Sequence, residues 1–411
     1  MKRRTFIQTT ITATLATALP PSLLAASRRP AVETVVRRVQ PLGLFPQVSG
    51  PRMVGGAAET TAVVEDTRGT VWIRGKSRRS LGELRNPRVV TGPAGDIHCV
   101  GRQQDKLIQI RFDGDRLAAP SVLAEHSASF PAVGLAATHT GDQVRVAAPR
   151  EPRTLYLFSA DGQAPRPIVH SRWVHPLLAY DARRGRLHLV FSPWANLSGL
   201  YSGLYYLRSD DLGSSWTTSA GAPVKTPFKP APPEHPGGGI EPELLAPRGQ
   251  GAGGFAHTLA HSLVLDAEGL PHVLFSFCRP YWVAAGSDPQ MRTMLARSTG
   301  TAWERHEIGP EFMHDIGGGS LAFDDRGELH AVVSFTKRYA HWLDLGLTRF
   351  NTLTKKWDPV TPLTADAIAR QEHRLAPQFR WHGNEGECLY AIASRSGSWR
   401  IARVTWPRDL S

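Results

Sequence analysis

SLVLDAEGLPHVLFSF, residues 262–277, and SLAFDDRGELHAVVSF, residues 320–335, are two copies of one unit: an apolar strand, an Asp/Gly turn and a second apolar strand. In the clearest copies an aspartate stands two to four residues before the glycine and a histidine three after it, and the glycine supplies the positive φ of a hairpin turn. The unit recurs as TAVVEDTRGTVWIRG around Gly69, RVVTGPAGDIHCVG around Gly95, GLAATHTGDQVRVAA around Gly141, PLLAYDARRGRLHLVFS around Gly185 and QFRWHGNEGECLYAIAS around Gly386. The flanking runs are short, rich in Val, Leu, Ile and Phe, and bounded by Gly, Pro and Asp, as buried antiparallel strands are. No long segment carries a 3.6-residue apolar period. Seven copies, most followed by room for a second hairpin, predict an all-β chain folded as a β-propeller of seven four-stranded blades. Gly69 and Gly95 lie only 26 residues apart where the other steps run from 44 to 84, so six blades is the alternative count. AVETVVRRVQ, residues 31–40, reads as a strand pairing beside the C-terminal SWRIARVTW, so that terminal strands close the ring and remove exposed edges.

The chain of 411 residues begins MKRRTFIQTTITATLATALPPSLLAAS, a charged start followed by an uncharged, moderately apolar run and small residues. Residues 1–26 therefore read as an export signal, and Arg3-Arg4-Thr5-Phe6-Ile7 gives it the twin-arginine type. Residues 27–411 are expected to form one propeller domain, periplasmic or secreted and monomeric, with no later apolar run long enough to anchor it in a bilayer. Cys99, Cys278 and Cys388 are too few for a disulfide framework or a metal knuckle, and Cys99 and Cys388, in second strands, read as buried thiols. The net charge of +12 loses Lys2, Arg3 and Arg4 with the signal, leaving +9, which favours an anionic partner. No nucleic-acid-reading motif is present, so that partner is not expected to be DNA or RNA.

Between the fourth and fifth copies, Ser209-Asp210-Asp211-Leu212-Gly213-Ser214-Ser215-Trp216 matches the Asp-box pattern S-x-D-x-G-x-[ST]-W. Its reading is structural: Asp211 bonds turn amides, Gly213 takes a backbone conformation few residues tolerate, and Trp216 packs between sheets, with Ser209 opening the turn. Degenerate relatives follow later copies, at residues 298–303, 351–357 and 394–399, and are expected in the second hairpin of each blade. On these residues the chain resembles the BNR or Asp-box propellers, the superfamily of sialidases and of several secreted polysaccharide-active proteins. The repeat D-x-x-G-x-[LIP]-H with only occasional Asp-boxes looks more like the BNR-4 group than like true sialidases. Within it, the seven-bladed uronate lyases of the ulvan type are the enzymes to compare. That resemblance implies cleavage of a uronate-containing anionic poly- or oligosaccharide by β-elimination, using a His/Tyr/Arg set. The Arg-Ile-Pro start of true sialidases is absent, although a sialidase-like hydrolase built on paired carboxylates, with Glu59, Glu241, Glu243 and Asp315 as loop candidates, stays open beside a non-catalytic glycan-binding propeller.

In such a blade the 1–2 and 3–4 turns share one face, and the segments before first strands and after second strands surround the channel mouth on the other. His98, His188, His272 and His330 recur beside the hairpin turn and read as repeat elements. His175 and His261 precede first strands at the candidate mouth, and His257 and His314 lie a few residues upstream of first strands. The exits SFCRPYW and SFTKRYAHW bring Arg279 and Tyr281, then Arg338 and Tyr339; rings stack on a pyranose face, and guanidinium pairs with carboxylate or sulfate. The expected proton-transfer pair is His261 and Tyr281 with His175 in support. Arg279 or Arg292 neutralises the substrate carboxylate, and His257, His314, Arg338 and Tyr339 hold neighbouring sugars. HTLAH, residues 257–261, lacks the glutamate and the helix of a zinc-protease motif. The sequence requires no cofactor and shows no recognisable metal-ligand set, while leaving a structural ion open.

Overall fold

The computed structural model describes residues 30–36, 52–55, 60–66, 69–74, 77–113, 116–125, 134–150, 154–171, 174–195, 200–201, 203–229, 243–246, 257–278, 291–309, 313–336 and 342–410. Their strands pair antiparallel into seven sheets, each a blade of at least four strands. The first strands of blades one to seven are Arg52–Gly55, Arg85–Thr91, Ala136–His139, Val174–Asp181, His257–Leu265, Met313–Phe323 and Glu372–His382. Each of these inner strands contacts the next, and the seventh returns to the first, so the count is seven and the ring is closed. Ala31–Val36 pairs with Trp399–Pro407 as the outer strand of blade seven, from Ala31 opposite Thr405 to Val36 opposite Ile401. The two ends of the described chain thus share one sheet, and no blade is left with a broken seam. Ala367–Arg370 is a single turn of α-helix.

Period-2 alternation explains the packing. In blade one, Val63 and Trp72 face blade two, where Leu84, Ile97, Cys99, Ile108 and Phe112 meet them, while Ala62, Val64 and Ile73 face Leu389, Ala391 and Ile401 of blade seven. Each of the seven gaps between adjacent blades holds an apolar cluster among the described residues, and the gap between blades six and seven holds a second, of Leu343, Leu375 and Ala393. Strands buried on both faces must be apolar at successive positions, which is why LHLVF and HVLFSF read as unbroken runs.

Two turns differ from the sequence reading. Gly69 joins the second and third strands of blade one, Thr60–Asp66 and Gly69–Arg74, whereas the other turn glycines lie between first and second strands. This displacement by half a hairpin accounts for the short step to Gly95 and removes the case for six blades. In blade seven the turn is Gly383–Asn384, with His382 opposite Glu385; Gly386 lies within the second strand, where a Cβ would come 2.3 Å from the Trp406 ring. Ser394–Trp399 likewise joins second and third strands, because the fourth strand of that blade comes from the other end of the chain.

The Asp-box forms the turn expected of it. Asp211 Oδ1 accepts the Ser209 hydroxyl at 2.7 Å and the Ser215 N–H at 2.8 Å, Oδ2 accepts the Ser215 hydroxyl at 2.7 Å, and Ser209 Oγ accepts the Gly213 N–H at 2.7 Å. Trp216 is buried in the cluster between blades three and four. The repeat histidines are buried beside their turns. The His272 ring lies edge-on to Phe323 at 5.3 Å and His330 edge-on to Trp381 at 4.9 Å, each stitching its blade to the next. His188 instead bonds the Tyr206 hydroxyl of its own blade at 2.7 Å.

Candidate functional site

Each inner strand starts at the face where the chain crosses from one blade to the next, and four of the seven break register close to that start. The shifts fall between Arg85 and Arg88, Ala260 and Ser262, His314 and Gly319, and Leu375 and Gln378. Asn86 and Ala376 there take φ of 51° and 50°. Extra residues in an inner strand twist it and re-aim side chains, the usual device beside a site.

His261 is the bulged residue of blade five. It is buried, with Nε2 2.6 Å from the Ser276 hydroxyl on the adjoining strand. His175, second in its strand and opposite Ser192, is also buried, and its ring is hydrogen-bonded to the backbone of Ala260, one residue before His261. Blades four and five thus present their histidines side by side. Burial, followed by the positive fields of Arg88, His261 and Arg52, pushes the His175 imidazole well below its ordinary pKa, so it is neutral at neutral pH.

Those arginines belong to blades one and two, across the ring from the histidines, so the group gathers around the central channel. Arg52 opens the inner strand of blade one, where burial lowers its pKa to about 10 despite the attraction of Glu65. Arg88 is lowered by burial and by Arg52, yet a guanidinium keeps its proton in any such setting. Its Nη1 donates to Asn86 Oδ1 at 2.8 Å and to the Pro87 carbonyl at 3.0 Å, so the bulge itself aims it. Glu65 accepts the Asn86 N–H at 3.1 Å; burial raises its pKa, against that bond and the fields of Arg85, Arg88 and Arg52. Three arginines around one carboxyl leave the mouth cationic.

Of the residues singled out in the sequence, His175 and His261 come together. Arg292 lies in the third strand of blade five, opposite Phe277, with Nη1 donating to Glu307 Oε1 at 2.6 Å. His257 and His314 belong to the inner strands of blades five and six, and their side chains lie outside the described residues, as do Arg279, Tyr281, Arg338 and Tyr339. Ser209, Asp211, Gly213 and Trp216 stay within the Asp-box turn. Sequence reasoning missed Arg52, Glu65 and Arg88. The rule that function precedes first strands points directly at LRNPR, residues 84–88, but taking the Gly69 hairpin as the start of blade one hid its true inner strand and shifted the frame.

Fold and site together define a seven-bladed propeller whose channel mouth carries paired buried histidines facing half-buried arginines. No family model and no curated protein matches the chain. Among solved structures it is similar to an ulvan lyase of a polysaccharide-lyase family bound to a GlcA(1-4)Rha3S segment, with TM-score 0.61 and 11% identity over 92% of this chain and 96% of that one. A second ulvan lyase structure gives TM-score 0.59 and 10% identity over 91% and 94%. An α-L-arabinofuranosidase of Fusarium graminearum gives TM-score 0.47 and 11% identity over 92% and 98%. At these identities the likeness is one of fold.

Proposed function

We propose that this chain is an exported polysaccharide lyase that cleaves a uronate-containing anionic glycan by β-elimination. The observation that carries the reading is the convergence of His175, His261, Arg52 and Arg88 from four blades on the channel mouth. Elimination needs a cation on the C6 carboxylate, a base for the C5 proton and an acid for the departing O4. Binding the carboxylate to Arg88 and Arg52 stabilises the charge that develops as C5 is deprotonated. His261, held by Ser276, takes the C5 proton, and the C–H electron pair forms the C4–C5 double bond as the C4–O bond breaks. Tyr281 donates to the leaving oxygen. His175, kept neutral, positions His261 without adding a competing positive charge.

The test is incubation of the purified mature chain with a panel of uronate polysaccharides, following the ultraviolet absorbance of the unsaturated product. His261→Ala, Tyr281→Phe and Arg88→Met are assayed in parallel. A rise in absorbance that the three variants abolish or reduce about 10²-fold or more supports the assignment. Glu65 favours one rival, a glycoside hydrolase, because burial raises its carboxyl as a general acid requires. Reducing ends without an absorbance rise would select that rival, and saturable binding with neither would select a glycan-binding module.

A further inference from the structure

At the opposite face, the first turn of blade six carries DDRGELH, residues 324–330. Asp324 Oδ1 accepts the N–H groups of Arg326 at 3.0 Å and Glu328 at 2.8 Å, as a turn aspartate should. Its Oδ2 is buried and has no hydrogen-bond partner among the described residues. The same is true of both ring nitrogens of His330, a residue 1% exposed. Leaving three such atoms unsatisfied in the interior is costly and rare.

The distances suggest what satisfies two of them, Asp324 Oδ2 and His330 Nε2. His330 Nε2 stands 3.6 Å from Asp324 Oδ2, and a carboxylate oxygen of Glu328 completes a trio of donor atoms lying within 4.8 Å of one another. A gap of 3.6 Å is too long for a hydrogen bond. It is close to the roughly 3.3–3.6 Å that separates two ligands of one tetrahedral ion at metal bonds of about 2.0–2.2 Å. Two guanidinium groups also approach the trio, and an ion would share the carboxylates with them: Arg349 Nη1 donates to both Glu328 oxygens at 3.4 Å while its Nε donates to Asp358 at 2.9 Å, and Arg408 Nη2 lies 2.5 Å from Asp325 Oδ1 and 3.8 Å from Asp324 Oδ2.

Other blades supply the contrast. His98 occupies the same repeat position with both nitrogens satisfied, by Asp96 Oδ2 at 2.7 Å and Gln109 Nε2 at 2.8 Å. The position of Glu328 is taken by Leu270 in blade five and by Arg186 in blade four. Only in blade six, among the described residues, do Asp, Glu and His meet at the turn.

We propose that Asp324, Glu328 and His330 bind one divalent cation of the zinc type, with the half-exposed Glu328 side leaving room for water as a further ligand. Its role is structural: His330 packs on Trp381, and Arg408 lies over the same ring, so the ion braces blade six against the blade that closes the propeller.

The test uses tag-free mature protein stripped with a chelator and titrated with zinc alone, then with calcium alone, followed by calorimetry and by thermal melting. The expected result is one zinc equivalent per chain and a raised Tm, with affinity weakened at least about tenfold in Glu328→Gln and in His330→Gln. Because Glu328 is half-exposed, Glu328→Gln alone decides the matter if His330→Gln does not fold. Failure of the stripped wild type to bind zinc, binding unchanged in Glu328→Gln, or a Tm response to calcium but not zinc overturns the assignment. None of these readouts depends on glycan cleavage.

Discussion

Replacing Gly213 by alanine tests the Asp-box at the point where backbone and packing constraints coincide. Gly213 has φ of +90°, and an added Cβ would lie 2.2 Å from Leu157 Cδ2 of the neighbouring blade. The left-handed backbone costs an alanine about 1–2 kcal/mol, and forcing a methyl into filled space costs about 1–3 kcal/mol more. The less flexible unfolded chain returns about 0.4–1 kcal/mol, for a net loss of about 2–4 kcal/mol. Gly141 is the control: its φ is +94° and nothing lies within 4 Å of the added Cβ, so Gly141→Ala should cost only about 1 kcal/mol. With an unfolding entropy of about 2.1 cal/mol/K per residue over roughly 380 residues, each kcal/mol moves Tm by about 1.3 °C. Scanning calorimetry should therefore show a fall of about 3–5 °C for Gly213→Ala and about 1 °C for Gly141→Ala. Equal falls in the two variants would refute the claim that the Asp-box turn is keyed into blade three, because the backbone penalty alone would then explain both.

Acid should destabilise the protein in a defined window. Burial holds His188 and His272 at about 4 in the folded chain, below the ordinary 6.5 of an exposed imidazole, so the unfolded state binds the extra protons and stability falls as pH drops from about 6.5 to 4. Each accounts for a loss of about 3 kcal/mol at the acid end, about 6 kcal/mol for the two, and a Tm that stays flat across this range would contradict it. Burial also pushes the Cys99 and Cys388 thiols above their ordinary range. The native protein should expose at most one reactive thiol to a disulfide reagent and the denatured protein three, with two or more titrating in the native state as the contrary result. If the chain is the proposed lyase, Arg88→Met should lower kcat/KM about 10²- to 10³-fold with little change in Tm, since Arg88 lies on the channel and outside the apolar clusters between blades. A large Tm loss with proportionate activity would reassign it to the scaffold.

The repeat and its hairpins are local facts, readable from the chain alone. Gly at a positive-φ turn, an aspartate that caps the turn amides, and strands apolar at successive positions each state their structure within a dozen residues. Seven such units cannot bury two-faced sheets except against one another, so the propeller, its count and the pairing of residues 31–36 with the C-terminal strand were legible. What required tertiary structure was where the first blade begins. Gly69 obeys the same turn chemistry whether it joins strands one and two or two and three, because a hairpin does not record which edge of the sheet faces the channel. That ambiguity concealed Arg52 and Glu65 and made Arg88 look like ordinary strand. Bulges were equally silent: nothing in HTLAHSLVL says that His261 is the extra residue, since a bulge is a mismatch between two strands and is defined only when both are paired. The histidine pair could be placed at the mouth from position in the repeat, but the convergence of His175, His261, Arg52 and Arg88 depends on closure of the ring. The same holds for Asp324, Glu328 and His330, where one turn brings the three together and the burial that leaves them unsatisfied comes from blade seven.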